Sequence, residues 1–249
     1  MKLLLAGESW TTHSIHQKGF DTFTTTEYVE GAGVFIDGLR GAGQELDYLP
    51  AHEVPPNFPA TVEELSAYDA VILSDIGSNS ILLAPRTFNK SESSPNRLRA
   101  VADYVAGGGG LLMIGGYMSF SGIDCVARYG RTPLAAALPV EMFDRDDRVE
   151  EPAGVVPAVQ FADHPALADV PAGDWPSLLG YNQVAPSEGA ETLVTVGDDP
   201  LLVVGTHGSG RGAAFTSDLA PHWAPPEFMD WPGYLPLWTG VLSWLAGER

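Results

Sequence analysis

Short apolar runs alternate along the chain with stretches of helical spacing, and this rhythm predicts strands and helices in turn. Lys2 to Ala6 read as a buried first strand, followed by a long polar and aromatic loop over Gly7 to Tyr28. Gly31 to Leu39 read as a helix with Val34, Phe35 and Leu39 on one face, stopped by Gly41 and Gly43. Glu45 to Leu49 alternate like a second strand, and Pro55 to Pro59 form a turn-rich connection. Thr61 and Glu64 have the spacing of a capping box for a short helix carrying Val62 and Leu65. Asp69 to Asp75 form a buried strand that ends in polar groups. After about twenty polar residues, Ser94 as cap and Pro95 at the first helical position predict another helix. Leu98, Val101, Ala102 and Val105 then recur at i, i+3, i+4 and i+7, the spacing of one buried helical face. Gly107 to Gly110 stop that helix, and Leu111 to Ile114 form a strand running into Gly115-Gly116-Tyr117.

Strand, helix, strand in repetition predicts a parallel sheet with helices on both faces and right-handed crossovers. The last third changes character. Gly180 to Val184, Glu191 to Val196, Leu201 to Thr206 and Gly212 to Ser217 read as strands, with hairpin turns at Asp198-Asp199-Pro200 and at His207 to Gly210. Tyr234 to Leu245 close the chain as a helix whose apolar face is Leu235, Trp238, Val241, Leu242 and Leu245. No repeat or linker divides the chain, so a single domain over residues 1–249 is expected.

Composition narrows the partners. Thirteen Lys and Arg against 32 Asp and Glu give a formal charge of −19, which disfavours nucleic acid and anionic membranes. No apolar run approaches the roughly 20 residues that span a bilayer. The N-terminal residues lack the long apolar core and cleavage site of a signal peptide, so a cytoplasmic location is expected. Cys125 is the sole cysteine, which leaves no intramolecular disulfide and no cysteine-based zinc cluster; a small core residue is expected there rather than a catalytic one. No Walker loop is present, and Gly31 to Asp37 echo a dinucleotide fingerprint only in part, so no cofactor is expected.

The run Gly108 to Tyr117 resembles the helix, strand and elbow of the class I glutamine amidotransferase-like superfamily. The segment from Pro200 to Asp218, with its Gly-Ser-Gly-Arg-Gly turn, resembles the same superfamily, and His164-Pro165-Ala166-Leu167 resembles its ThuA-like branch. Gly7 to Trp10, Lys18 to Asp21, Tyr28 to Gly31 and Pro221-His222-Trp223 resemble a group of amidotransferase-like cytoplasmic proteins. The resemblance implies an α/β, flavodoxin-like three-layer αβα fold with a mostly parallel sheet and a β-rich C-terminal extension. True members carry a cysteine at the elbow, paired with a His and a Glu near the end of the domain. Here the elbow falls on Tyr117 or a neighbour, where no cysteine stands, and His222 is followed by Trp223 and Ala224. A tyrosine hydroxyl, with a pKa near 10, is a poor nucleophile toward an amide. Glutamine hydrolysis through a thioester is therefore not expected.

Ligands of open parallel sheets bind beyond the carboxyl ends of the strands, and four segments converge there. The first loop offers Trp10, His16, Lys18, Asp21 and Glu30. The turn after the Asp69–Asp75 strand offers Asp75 as a hydroxyl acceptor or helix cap, together with Asn79. Gly115 and Gly116 permit close backbone approach and N–H donation to developing charge, and Tyr117 adds a hydroxyl. His222 is a candidate acid or base, and Trp223 offers a flat face for a sugar ring or for packing. In this reading His222, Tyr117, Asp21 and Glu30 act on a small polyhydroxylated, sugar-like compound by acid–base hydrolysis or isomerisation. The remaining named side chains and glycines bind it. The alternative is a non-catalytic binding or regulatory module on the same fold. No metal ligand set is expected, since His13 and His16 match no standard zinc spacing. The aromatic stretch from Phe228 to Trp238 and the first loop suit a homo-oligomer interface.

Overall fold

The structure is a computed structural model, and it describes residues 1–248. Strand β1 (Lys2–Gly7) runs into β2 (Ser9–Lys18) and β3 (Asp21–Glu30), then α1 (Gly33–Gly41) and β4 (Glu45–Leu49). Single-turn helices α2 (Val54–Asn57) and α3 (Val62–Leu65) precede β5 (Ala70–Ser74). Helices α4 (Ser78–Leu82), α5 (Pro85–Lys90) and α6 (Arg97–Ala106) lead to β6 (Gly110–Ile114). A run of 3-10 turns is followed by β7 (Val140–Met142), β8 (Arg148–Val155) and β9 (Pro157–Val159). The chain continues through β10 (Leu178–Asn182), β11 (Val184–Pro186), β12 (Glu191–Val196), β13 (Asp199–His207) and β14 (Gly210–Phe215). It closes with α7 (Pro226–Met229) and α8 (Tyr234–Leu245).

Eight strands form one sheet in the order β4-β1-β5-β6-β14-β13-β12-β9. The first five are parallel, and the last three pairings are antiparallel. Alternate residues of each parallel strand face opposite layers. Leu3, Leu5, Ile72, Leu112 and Ile114 pack against Phe35 and Leu39 of α1 and Leu237, Trp238 and Val241 of α8. Leu4, Ala6, Val71, Leu73, Leu111 and Met113 pack against Leu65 of α3 and Leu98, Val101 and Val105 of α6. Both faces are covered, which explains why these strands read as continuous apolar runs rather than as an alternation. Each fully buried Leu or Val stabilises the fold by about 1.5–3 kcal/mol relative to its exposed state. The arrangement is the flavodoxin-like layered fold, extended by antiparallel strands toward the C-terminus.

Three local expectations are corrected. Much of the predicted first loop is the hairpin β2–β3, whose ten pairs run without a slip from Ser9↔Glu30 to Lys18↔Asp21. Its turn is Gly19-Phe20, with Gly19 at φ +66°, the glycine-first two-residue hairpin turn. Neither face of the hairpin is buried, so no hydrophobic alternation marks it. Its only signal is a run of threonines, which suit extended backbone. The residues between β5 and α6, expected to be irregular, include α4 and α5. The cap of α6 is Asn96 rather than Ser94: the Asn96 side chain accepts from the Arg99 N–H at 3.0 Å, and Ser94 pairs instead with Thr87. The capping box of α3 forms as expected, with Thr61 and Glu64 satisfying each other's backbone N–H groups.

Asn96→Ala should lower the free energy of unfolding by about 1 kcal/mol in urea titrations, the usual cost of losing a cap. Ser94→Ala should cost less than half as much.

Candidate functional site

From β1 the chain first adds β4 on one side and then β5 on the other, so the order of strands reverses between β1 and β5. Crevices at such points, beyond the carboxyl ends, are where open α/β sheets bind ligands. Three acidic residues stand there, each just past a strand: Glu8 after β1, Asp75 after β5, and Asp218 three residues past β14. Glu8 and Asp75 adopt left-handed backbone, at φ +52° and +40°. Non-glycine residues rarely do so, and such strain is found where surrounding structure enforces it. At Glu8 the enforcement is visible: its N–H donates to the Ser74 carbonyl at 2.9 Å, and its carbonyl accepts from Gly31 N–H at 2.9 Å. Glycine is needed at 7 and 116. A side chain on Gly7 would strike the Ser74 carbonyl, and one on Gly116 would lie 2.7 Å from Asp75 Oδ1.

The acids repel one another out of water. Glu8 and Asp218 are buried, and Asp75 is half-buried. Burial and the Asp75 charge push Glu8 up to about 8, against which the Ser74 hydroxyl, donating to Glu8 Oε2 at 2.5 Å, acts only in part. Burial also raises Asp75, opposed by the Met118 N–H, which donates to Asp75 Oδ1 at 2.7 Å, and by His222 whenever that ring carries a proton. Asp218 rises well above the usual carboxylate range because of burial and the charges of Glu8 and Asp75. The group therefore retains protons at neutral pH that isolated carboxyls would lose.

Above these acids lies a cluster of rings. Tyr117 stands edge-on to His222, with centroids 4.3 Å apart, and 5.8 Å from Trp223. Arg148 of β8 lies over the Tyr117 ring at 4.5 Å. Glu150 of β8 ties the cluster together: it accepts from the Tyr117 hydroxyl at 2.8 Å and from Trp223 Nε1 at 3.1 Å. Burial, then Glu150, raises the Tyr117 pKa, so its hydroxyl keeps its proton. His222 is exposed. Asp75, its proton affinity raised by burial, lies near enough to feel the charge of His222, and a carboxyl and an accessible imidazole can between them donate and accept a proton.

The structure thus brings together Asp75, Gly115, Gly116, Tyr117, His222 and Trp223. Three of the expected roles change. The N–H of Gly115 is occupied by the carbonyls of Phe215 and Ser217, and that of Gly116 by Asn182 Oδ1 at 3.0 Å, so neither donates to a ligand. These glycines serve close approach instead. Trp223 is fully buried, packed on Gly180, so it offers no open face for a sugar ring. Asp75 does not cap α4, whose N-cap is Gly77.

The hairpin residues are distributed along its length. Trp10 and Glu30 lie at its root, where Glu30 accepts from the Tyr28 hydroxyl at 2.7 Å. His16, Lys18 and Asp21 lie near the exposed tip. There His16 stacks on Phe23 at 4.5 Å, and Lys18 lies over the same ring at 5.6 Å. Eight residues of extended chain, about 26 Å, separate His16 from Glu8, so these three do not join the acids of their own chain. Asn79 lines a neighbouring cleft of about 500 Å³ with Cys125, Arg128, Arg131 and Asp144. Cys125 is not a core residue: it sits half-exposed on a 3-10 turn, its Sγ 3.7 Å from Asp144 Oδ1. Among the described residues, no three His, Cys, Asp or Glu side chains stand in an arrangement that would hold a metal ion.

Residues 2–247 match the family described as "Putative glutamine amidotransferase". The chain belongs to this amidotransferase-like family. Among solved structures, a cytoplasmic protein of Salmonella typhimurium is 45% identical, with 98% of this chain and 99% of that one covered and a TM-score of 0.95. A second cytoplasmic protein, from Salmonella typhimurium LT2, is 48% identical at 98% and 99% coverage, with a TM-score of 0.94. A ThuA-like protein of Parabacteroides merdae shares the fold at 13% identity, covering 100% and 90%, with a TM-score of 0.61. No curated protein matches the chain.

Glu8, Asp218, Arg148 and Glu150 are the members of the site that sequence reasoning did not single out. For Glu8 and Asp218 the available signal was an acid at, or just past, the end of an apolar strand. The folded state prefers protonated Glu8, so this contribution to stability is complete below about pH 4.5 and is lost as pH rises through about 8. Glu8→Gln keeps an acceptor for Ser74 and removes the titration. Thermal unfolding of the native chain should fall by several degrees between pH 6 and pH 8.5, and the variant should show a visibly flatter profile.

Proposed function

We propose that this amidotransferase-like chain acts, as one unit over residues 1–249, on a small polyhydroxylated, sugar-like compound at the carboxyl ends of β1, β5, β6 and β14. The chemistry is acid–base, a hydrolysis or an isomerisation. The observation that carries the reading is exposed His222 set against the Tyr117 ring, beside the acids that gather where the strand order reverses. His222 takes a proton from a ligand hydroxyl or from water. Asp75, whose proton affinity burial raises, donates a proton or holds a hydroxyl. Environments that separate the proton affinities of neighbouring groups are how one site supplies both an acid and a base. Tyr117 adds a phenol held in place by Glu150 and Arg148. The cytoplasmic setting of the two Salmonella relatives supports the same compartment for this chain.

A second reading rests on a separate observation. The elbow after β6 carries Gly115-Gly116-Tyr117, and the sole cysteine lies on a surface turn eight residues past Tyr117. A chain that has the amidotransferase fold without its nucleophile suits a module that binds a small molecule and does not transform it.

One experiment separates the two. The full chain is screened by calorimetry against aldoses, ketoses and sugar lactones, and any binder is followed by NMR for product. Turnover that falls roughly 100- to 10,000-fold in His222→Ala, with KM little changed, is the enzymatic outcome. Binding without product, weakened by the same substitution, is the module. If no member of the panel binds, or if binding ignores both His222→Ala and Asp75→Asn, the site reading fails.

A further inference from the structure

Hairpin β2–β3 stands away from the body. Of its twenty strand residues, Ser9 is buried and Ser14 and Val29 are partly covered; the others are exposed. Its contacts with the body lie at the root, where Tyr28 meets His52 edge-on at 5.2 Å and Trp10 lies beside Gly31. Farther out, Ile15 is 75% exposed, Phe23 is 48% exposed and Phe20 lies fully in solvent. A lone two-stranded hairpin is marginal in water, and a long unpaired edge is a template for another strand.

We propose that this arm is the docking surface for a second copy of the chain, with edge β2 paired antiparallel to edge β2 of the other copy. The charge pattern selects the occupant. The chain carries −19, so two copies repel over most of their surfaces, and an anionic partner is repelled as well. Residues 10–26 are the exception: their full charges are one lysine, Lys18, and one aspartate, Asp21, which cancel. Within the arm the two edges differ. β3 carries Asp21, Glu27 and Glu30, which a second copy would double. β2 has no carboxylate, and its one full charge, Lys18, lies at its end. A two-fold axis at Ser14 sets Lys18 of each copy against Trp10 of the other β2, with no like charges directly opposed. The pairing of Trp10–Lys18 with its symmetry mate makes one four-stranded sheet, β3-β2-β2-β3, with about 30 Å of shared edge.

Sedimentation velocity of the full chain across micromolar concentrations tests this. The native chain should run as a dimer or an even multiple. Ser14→Asp and Ser14→Lys each place like charges at the axis, on a residue that stands opposite Thr25 midway along the arm. Each should weaken the dimer roughly tenfold or more with unchanged circular dichroism. An equimolar mixture of the two variants should restore assembly, because opposite charges then meet. A native chain that stays monomeric overturns the proposal. So does an oligomer indifferent to both variants, or a mixture that does not reassemble.

Discussion

Keeping three carboxyl groups close together and largely out of water is the constraint on which the site depends. Burial alone disfavours ionisation of each, and every charge that forms opposes the next. Hydrogen bonds from Ser74, Met118 N–H and Ala220 N–H offset this only in part. The backbone adds strain, since Glu8 and Asp75 both take left-handed conformations that cost on the order of 1–3 kcal/mol each. Stability alone would replace such a cluster with apolar side chains. Its presence at the reversal of strand order is therefore the strongest physical argument that the crevice is used. The alternating packing of β1 and β5 supplies the rigidity: each strand is clamped on both faces, so its last residue is held firmly enough to bear the strain.

The parallel half of the fold was legible because its signals are local and redundant. Apolar runs at Leu3–Leu5, Ala70–Leu73 and Leu111–Ile114 are buried on both faces, and Leu98, Val101 and Val105 mark the buried side of α6. The closing helix, Tyr234–Leu245, was legible end to end because a dense apolar face leaves no other element possible. The hairpin was not legible, because recognition of a strand from pattern needs one dry face. Strands β7 to β9 were missed for a related reason. They are short, β8 is half-exposed, and their partners β10, β11 and β12 lie well over thirty residues along the chain in most pairings.

The site was legible by segment rather than by residue. Asp75, Tyr117 and His222 stood out because each combines a reactive side chain with a strand end or a flexible turn. Glu8 and Asp218 lay inside the segments singled out, but nothing local distinguishes a buried acid from a solvated one. That depends on Ser74, Ala220 and the neighbouring acids closing over it. Glu150 was beyond reach of sequence reasoning, since it belongs to an excursion that returns to Tyr117 and Trp223 only through the pairing of β8 with β10. The two glycines show the opposite limit. Their need for space was correctly read, but their N–H groups were assigned to a ligand when Ser217, Phe215 and Asn182 already occupy them.

The arm and the acid cluster are one mechanical unit. Glu8 is the single residue between β1 and β2, and its carbonyl takes hydrogen bonds from Gly31 N–H, just past β3, and from the Tyr48 hydroxyl at 3.2 Å. Ser9, the first residue of the arm, accepts from Ala51 N–H at 2.7 Å through its hydroxyl. The carboxylate of Glu8 is thus aimed by the same backbone segment that sets the direction of β2. A rotation of the arm about its root changes the dihedral angles at residue 8, which are already strained, before it changes anything else in the sheet. Whatever holds the arm still also holds Glu8 against Ser74 and fixes it near the Asp75 charge that raises it.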